Sequence, residues 1–422
     1  MKFKKILSII ILFLIFIPTL SSNASFEDLT IYSPSVILID SKTGKVLYEK
    51  EATQKMYPAS ITKIMTAILV LENCNLSDKV KVSYNSVMTV PAGYSIANLQ
   101  IGEEFSINDL LHALLIKSAN DSANVLAEHV SGSISEFANL MNKKALELGC
   151  TNTNFVNPSG IHNSDHYTTA ADMMLIAKYC MQNETFRSIV TKSTYTLPST
   201  DKYQKEDRIM LTTNDMLRLN TSTRKDNYYY EYCIGIKTGY TSQAKNTLIS
   251  AASRDGMEFI AVILNAGLTS DGLSHRYLDS ITLFNYAFNS YNIRKIMNVN
   301  DFVTQTTVKK ETLDLLAANS ITSIVKTENF ETEFKPEINL KEDLKAPIKK
   351  GELVGTATYD IEGIIYTIDL AAGNDIKKTS IISIIFRFIL ILFIFYIIIL
   401  VLNKNQKKKK SKRKSTIYNH YQ

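Results

Sequence analysis

The sequence predicts an α+β fold in which an antiparallel sheet is flanked by helices and followed by a small all-β domain and a transmembrane helix. Three observations support this prediction. Strand-like segments lie at both ends of residues 25–292 and enclose a block of helical patterns. Residues 293–378 are rich in turn signals and short alternating apolar runs. Residues 379–402 form one long apolar segment, and residues 403–422 form a basic tail.

The elements of residues 25–292 are predicted from periodicity and turn signals. Two short strands separated by Ser-Lys-Thr-Gly indicate a hairpin at the start, and Lys42-Thr-Gly44 belongs to its turn. The other predicted elements are helices over 60–72, 107–118, 122–130, 134–148, 170–181 and 275–288, and strands over 36–40, 45–48, 230–237, 247–254 and 258–265. In the all-β domain, strands are predicted over 349–355 and 363–370.

The first 24 residues have the pattern of a secretory signal peptide. Three lysines precede an apolar core over residues 6–17, and Ser22-Asn-Ala24 provides a small-residue cleavage site. We therefore expect the chain from Ser25 onward to be exported.

The apolar segment 379–402 is long enough to cross a bilayer. Its one charged residue, Arg387, costs about 2.5–3.5 kcal/mol at the centre of a span. The nineteen Ile, Leu, Phe and Val residues of the segment outweigh that cost. Eight basic residues follow it, which predicts a single-pass protein of the cell membrane with a cytoplasmic C-terminus and with residues 25–378 outside the cytoplasm. The alternative is an interfacial helix that lies flat on the membrane.

The formal net charge of +6 comes from the two ends of the chain. Without the eleven basic residues there, 36 basic residues face 41 acidic ones, a net charge of −5, so nothing indicates nucleic-acid binding. The four cysteines form no Cys-x-x-Cys pair and are expected to be buried free thiols, with disulfides as the alternative. The six histidines show no ligand spacing, so neither a metal nor a cofactor is expected.

The most informative motif is Ser60-x-x-Lys63, which begins an apolar helical pattern after Pro58. Residues three apart share a helix face, so the Ser60 hydroxyl is expected to lie beside the Lys63 amine. A serine needs a neighbouring base to act as a nucleophile, and a desolvated lysine can serve. The spacing alone is weak, because a serine at a helix start is more often only an N-cap.

Two further motifs strengthen this interpretation. Ser118-Ala-Asn120 lies between two apolar helical segments, where a loop can aim both side chains into a cleft. Lys237-Thr-Gly239 ends a predicted strand, and a glycine on an edge strand lets the backbone of a ligand approach closely.

The order Ser-x-x-Lys, Ser-x-Asn, Lys-Thr-Gly resembles that of the penicillin-recognising serine peptidases and β-lactamases. Within this superfamily the chain resembles the D-alanyl-D-alanine carboxypeptidases, low-molecular-mass penicillin-binding proteins of the S11 type. The resemblance covers nearly the whole chain and includes segments 37–49, 57–66, 157–167, 235–240 and 254–262. It implies a β-lactamase/transpeptidase-like catalytic domain.

The resemblance also implies roles for individual residues. Ser60 is the nucleophile, Lys63 its base, and Ser118 the proton relay to the leaving D-alanine of a peptidoglycan stem peptide. The expected substrate-binding residues are Asn120, Lys237, Thr238, Gly239, Tyr240 and Arg276. Among them, Lys237 and Thr238 bind the terminal carboxylate with help from Arg276, and the N–H groups of Ser60 and Tyr240 form the oxyanion hole. β-Lactam antibiotics are expected to inhibit by forming a slowly hydrolysed ester.

Three alternatives use the same motifs. A class A β-lactamase needs a deacylating glutamate in a Glu-x-x-Leu-Asn loop, and no convincing loop of this kind is present. A DD-endopeptidase or transpeptidase would act on cross-links, and a catalytically inactive protein would only bind peptidoglycan. Two departures from the family pattern are the spanning anchor, in place of an amphipathic one, and the large charged Lys117 before Ser118.

Overall fold

The computed structural model describes residues 29–204, 207–219, 228–378 and 381–418. The predicted signal peptide lies outside these residues. The chain forms two compact units, the first reaching Arg294 and including Ile324–Thr332, the second formed by Lys295–Ser323 and the residues from Glu333 onward.

The first unit alternates helices and strands between two groups of long strands. In chain order its elements are β1 (Ser35–Asp40), β2 (Val46–Lys50), α1 (Lys63–Asn73), β3 (Lys79–Lys81), α2 (Tyr84–Met88), β4 (Glu104–Ser106), α3 (Ile107–Leu115), α4 (Asn120–Ser131), α5 (Ile134–Glu147), α6 (Ala170–Cys180), α7 (Glu184–Val190), β5 (Thr194–Leu197), β6 (Arg208–Leu211), β7 (Cys233–Thr241), β8 (Lys245–Arg254), β9 (Met257–Ala266) and α8 (His275–Ser290). The strands β10 (Tyr291–Met297) and β13 (Ile321–Lys326) each cross the division between the units.

The main sheet of the first unit is antiparallel and has the strand order β2-β1-β9-β8-β7. The N-terminal hairpin thus pairs with the last strands of the domain, as the enclosing arrangement of strands in the sequence predicts. The order leaves β7 at the edge of this sheet among the described residues, and an edge strand is a place where a peptide ligand can pair with the backbone.

Both faces of this sheet are buried, which explains why its strands read as continuous apolar runs. Along β1, Ile37 and Ile39 pack into one core and Val36 and Leu38 into the other. The first core is built around α1, with α3–α6 about it, and the second is formed chiefly by α8. The helix α1 is buried over residues 63–70, so its start is held firmly within the domain.

Most helices of the first unit begin at a side-chain cap. The N-cap serine, threonine or asparagine accepts a hydrogen bond from a backbone N–H of the first turn at Ser83, Ser106, Ser133, Thr169 and Asn183. The segments Ser83-Tyr-Asn85 and Ser106-Ile-Asn108 also have the Ser-x-Asn spacing, and their serines are two of these caps. Helix capping therefore explains the serines of these two segments, whereas α4, which follows Ser118, has no side-chain cap.

The second unit contains β11 (Phe302–Val308), β12 (Glu311–Ala317), β14 (Glu337–Leu340), β15 (Leu353–Ile361), β16 (Ile364–Ala372) and α9 (Ile381–Tyr418). Its five strands named here form an antiparallel sheet with the order β11-β12-β16-β15-β14. The prediction of a strand over 349–355 was wrong at its start, because Lys349–Glu352 form a turn in which Gly351 has φ +86°. The residues of this turn are exposed, so their side chains add nothing to the core beneath the sheet.

The helix α9 contains the apolar segment that the sequence predicts to span a membrane. Residues Ile384–Lys410 are long and apolar enough to do so, with a mean hydropathy of 3.2 in the most apolar window. The side chains over 384–402 are exposed in the folded chain. A helix of this kind is compatible with membrane anchoring.

Candidate active site

Ser60 lies in a 3₁₀ turn, Ala59–Thr62, which leads into α1. The predicted helix over 60–72 is therefore wrong at its first turn, where Ala59 takes a left-handed φ of +51° and the turn is tighter than an α-helix. In a 3₁₀ turn, side chains at i and i+3 eclipse each other. The Lys63 Nζ accordingly donates to Ser60 Oγ at 2.9 Å.

Lys63 is fully buried and has three acceptors for its three N–H bonds when it is charged. Besides Ser60 Oγ they are Asn120 Oδ1 at 2.9 Å and the Ser159 carbonyl oxygen at 2.6 Å. Burial is the main cause that holds the pKa of the Lys63 amine well below its usual range, and the positive charge of Lys237 adds to it. The buried carboxylate of Asp121 acts in the opposite direction. A lysine with a lowered pKa supplies the neutral amine that a general base needs.

The Ser159 carbonyl is presented by a loop that Asn157 holds in shape. The Asn157 Oδ1 accepts hydrogen bonds from the backbone N–H groups of Ser159 and Gly160, at 3.1 and 2.7 Å. Gly160 has φ +79°, and a Cβ at this position would run into the carbonyl group of Ala59. This loop therefore fits closely against the turn that carries Ser60.

Ser118 and Asn120 lie at the junction of α3 and α4, as the sequence predicts. Ser118 has φ +62°, a left-handed conformation that is strained for a residue with a side chain. Asn120 Nδ2 donates to the Ser95 carbonyl at 2.8 Å, while its Oδ1 accepts from Lys63. The side-chain amide is thereby fixed in one orientation.

Asp121 is a buried residue of this region that motif reasoning did not select. Its carboxylate accepts from the backbone N–H groups of Ala97, Leu99 and Ser122 at 2.9–3.2 Å. These bonds tie the loop between α2 and β4, which includes Ser95, to the start of α4. Asp121 comes directly after the Ser-x-Asn motif. The one feature of the sequence that could have pointed to it is a carboxylate between two apolar helical segments.

The strand β7 runs past Lys237 to Thr241, four residues beyond the predicted end. Lys237 is buried and does not line the cleft, and its Nζ donates to the Thr238 carbonyl at 2.8 Å. Burial, with a smaller contribution from the charge of Arg276, lowers the pKa of Lys237 to about 7. Thr238 faces the cleft and its hydroxyl hydrogen-bonds with Thr213 Oγ1 at 2.6 Å.

Gly239 lies against the turn that carries Ser60. A Cβ added there would come to 2.9 Å from the Ser60 backbone nitrogen and 3.1 Å from the Ala59 Cβ. Only glycine allows the edge strand this close to the 3₁₀ turn. The Thr247 hydroxyl on β8 donates to the Pro58 carbonyl at 2.9 Å and ties the sheet to the same turn.

Arg276 and Tyr240 stand at the outer part of the cleft. Arg276 Nη1 donates to the Gly239 carbonyl at 3.2 Å, and Nη2 donates to the Tyr277 hydroxyl at 3.0 Å. Its buried Nε has no hydrogen-bond partner among the described residues. Tyr240 is 63% exposed.

These residues surround one open cleft of about 540 Å³. Of the residues predicted for the site, Ser60, Ser118, Asn120, Thr238, Gly239, Tyr240 and Arg276 line it, and Lys63 and Lys237 lie behind its wall. The cleft thus combines a serine paired with a lysine of lowered pKa, an edge strand for a peptide backbone and a cationic end. Such a set suits acyl transfer from a substrate with a terminal carboxylate.

Two family models match the chain. One described as D-alanyl-D-alanine carboxypeptidase (peptidase S11) covers residues 21–267, and one described as penicillin-binding protein 5, C-terminal domain, covers residues 291–378. Arg276 lies between the two matches. The first match covers more than half of the chain and includes the three motifs.

Similar proteins agree with the family models. D-alanyl-D-alanine carboxypeptidase DacF of Bacillus subtilis is 33% identical over 363 residues, which cover 84% of this chain and 88% of that protein. The crystal structure of PBP3, a peptidoglycan synthesis regulatory factor from Streptococcus pneumoniae, has a TM-score of 0.65 at 25% identity and covers 82% of this chain and 100% of that one. The Streptomyces K15 DD-transpeptidase structure has a TM-score of 0.55 at 32% identity, covering 62% and 98%. The chain therefore belongs to the S11 family of D-alanyl-D-alanine carboxypeptidases, which are penicillin-binding serine enzymes.

Proposed function

We propose that this carboxypeptidase removes the terminal D-alanine from peptidoglycan stem pentapeptides through an ester on Ser60. The observation that carries the assignment of the nucleophile is the 2.9 Å contact between Ser60 Oγ and the buried Lys63 amine. Burial keeps this amine neutral at a pH where an ordinary lysine is charged. The pair therefore has both the geometry and the proton affinity for base-assisted attack.

In the acylation step, Lys63 takes the Ser60 proton as Oγ attacks the carbonyl between the two D-alanines. The N–H groups of Ser60 and Tyr240 stabilise the oxyanion. The closeness of Gly239 to the Ser60 nitrogen supports this placement, because it brings the two backbones that carry these donors together. Lys63 then gives this proton to Ser118 as Ser118 passes its own to the amine of the leaving D-alanine, which leaves Lys63 neutral again, and Asn120 holds both the peptide and Lys63.

The terminal carboxylate binds at the Thr238 end of the cleft. The Thr238 hydroxyl and the guanidinium of Arg276, which donates to the Gly239 carbonyl, both line the cleft where this carboxylate would bind. Lys237 acts from behind the strand as a positive charge. An incoming carboxylate favours the charged form of this lysine and so raises its pKa from about 7.

Water then hydrolyses the ester, with Lys63 accepting the proton of the water. A β-lactam forms the same ester on Ser60. The amine released by opening of the β-lactam ring stays attached to the acyl group, whereas the D-alanine released from a peptide leaves the site.

The direct test is release of D-alanine from a pentapeptide ending in D-alanyl-D-alanine by the full-length chain in detergent. We expect release from the native chain and none from Ser60→Ala, because among the described residues Ser60 has the only hydroxyl that is hydrogen-bonded to the Lys63 amine. A folded native chain that forms the ester with penicillin but releases D-alanine only from cross-linked peptides would favour an endopeptidase. A chain that does neither would have a role in binding alone.

We further propose that α9 anchors the protein as a single span with the basic C-terminus in the cytoplasm. The exposed apolar side chains over 384–402 and the lysines from 404 onward support this orientation. In intact cells, fluorescent penicillin is expected to label the protein, whereas an antibody to a C-terminal tag is expected to bind only after permeabilisation. Binding of that antibody without permeabilisation would indicate a helix lying on the outer surface.

A further inference from the structure

A second cavity adjoins the catalytic cleft at the turn between β7 and β8. It has a volume of about 390 Å³, and its polar lining residues are Lys55, Tyr57, Ser164, Tyr167, Gln243 and Asn265. Gln243 lines this cavity and the catalytic cleft as well. The two spaces therefore meet at one exposed side chain at the tip of the turn.

The direction of the bound peptide leads toward this cavity. This step rests on the proposed function, in which the terminal carboxylate lies at Thr238 and the scissile carbonyl lies at the N–H of Tyr240. A peptide paired with the edge strand then has its earlier residues beyond Tyr240, where β7 ends at Thr241 and the turn with Gln243 follows. The residue before the D-alanyl-D-alanine pair is thus placed beside the cavity.

The positive charge of Lys55 in this cavity favours a ligand with a negatively charged group. The Lys55 ammonium stands 4.4 Å from the centre of the Tyr167 ring, which holds it against the cavity wall. Among the described residues, none that lines the cavity carries a carboxylate, and none forms an ion pair with Lys55. Ser164, Gln243 and Asn265 add hydrogen-bonding groups around this unneutralised cation.

We propose that the cavity binds a carboxylate at the end of the side chain of the residue that precedes the D-alanyl-D-alanine pair. The enzyme then prefers stem peptides in which this residue is a diamino dicarboxylic acid with a free side-chain carboxylate. It disfavours peptides in which this carboxylate is amidated, and those in which the residue is lysine, whose ammonium meets the charge of Lys55.

The test compares two peptides that differ in one group. Both end in X-D-Ala-D-Ala, where X is 2-aminopimelate with its distal carboxyl either free or amidated. For the full-length chain in detergent, kcat/KM is expected to be about tenfold higher for the free acid, the size of one charge-assisted hydrogen bond. Lys55→Met is expected to reduce the ratio to about one, and Lys55→Arg to retain it.

Lys202→Met is the matched control, because Lys202 lies at another cavity beside the cleft wall and its removal changes the net charge equally. An acid-to-amide ratio of kcat/KM in Lys202→Met equal to that of the native chain supports a direct contact between Lys55 and the carboxylate. A ratio that falls equally in both variants, or an acid-to-amide ratio near one in the native chain, would overturn the proposal.

A second measurement separates this subsite from the peptidase activity. The rate of ester formation on Ser60 is measured with two penicillins whose acyl side chains end in a carboxylate or in its amide. Faster reaction with the carboxylate, lost in Lys55→Met, supports the subsite even in a chain that releases no D-alanine. Equal rates count against it, whereas absence of D-alanine release alone counts only against the proposed function.

Discussion

Replacing Lys63 by methionine is expected to slow the formation of the Ser60 ester with penicillin by about 10²–10⁴-fold. The methionine fills much of the same buried space but offers no base to the Ser60 hydroxyl. The measurement is the second-order rate constant for acylation, followed with a fluorescent penicillin at neutral pH.

A suitable control is Lys117→Met, which removes an exposed lysine next to Ser118. This variant is expected to react within a few-fold of the native chain. Native acylation by a folded Lys63→Met protein would contradict the assignment of Lys63 as the base.

The same variant is expected to differ from the native chain in how its stability depends on pH. The pKa of Lys63 is lower in the folded chain than the value of about 10.4 in an unfolded chain. Between these two values the unfolded state binds the proton and the folded state does not, so raising the pH stabilises the native chain. Lys63→Met lacks this contribution. Melting temperatures measured across neutral to alkaline pH should therefore rise more, or fall less, for the native chain.

The second large effect is expected for Gly239→Ala, with acylation reduced by about 10²–10³-fold. The added methyl group would overlap the Thr247 hydroxyl on β8 and lie 2.9 Å from the Ser60 nitrogen, closer than a carbon atom normally approaches either atom. Either β7 or the 3₁₀ turn must move, and the oxyanion donors then separate. Acylation by penicillin and the melting temperature are measured together, so that a local effect on the site is distinguished from unfolding.

Gly267→Ala provides the control, since a Cβ at Gly267 has no neighbour within 4 Å and needs no unusual φ. Its acylation rate is expected to match that of the native chain. A Gly239→Ala protein as reactive as this control would show that the close approach of β7 is not required for catalysis.

Much of the fold was predictable because its signals are local. The hairpin turn, the capped helices and the apolar strands of the main sheet are encoded within short segments, and their predicted bounds lie close to those observed. The elements without a prediction are mostly short, such as β3 and α2, in which three to five residues carry no measurable periodicity.

The site was predictable only as motifs. Ser60, Ser118 and Gly239 were found because their spacing and order are distinctive. Ser95 and Ser159 were not, since they contribute carbonyl groups that any residue possesses. Their importance comes from the folding of two loops onto α1 and α4, which is tertiary information.

The position of Lys63 has a consequence for the covalent intermediate. Once Ser60 is esterified, its oxygen is a poorer acceptor, but the amine retains two anchors, Asn120 Oδ1 and the Ser159 carbonyl. Both belong to the scaffold and not to the reacting groups. In the proposed mechanism, Lys63 therefore stays in place through both half-reactions, and the lifetime of an adduct depends on whether water can reach the ester beside it.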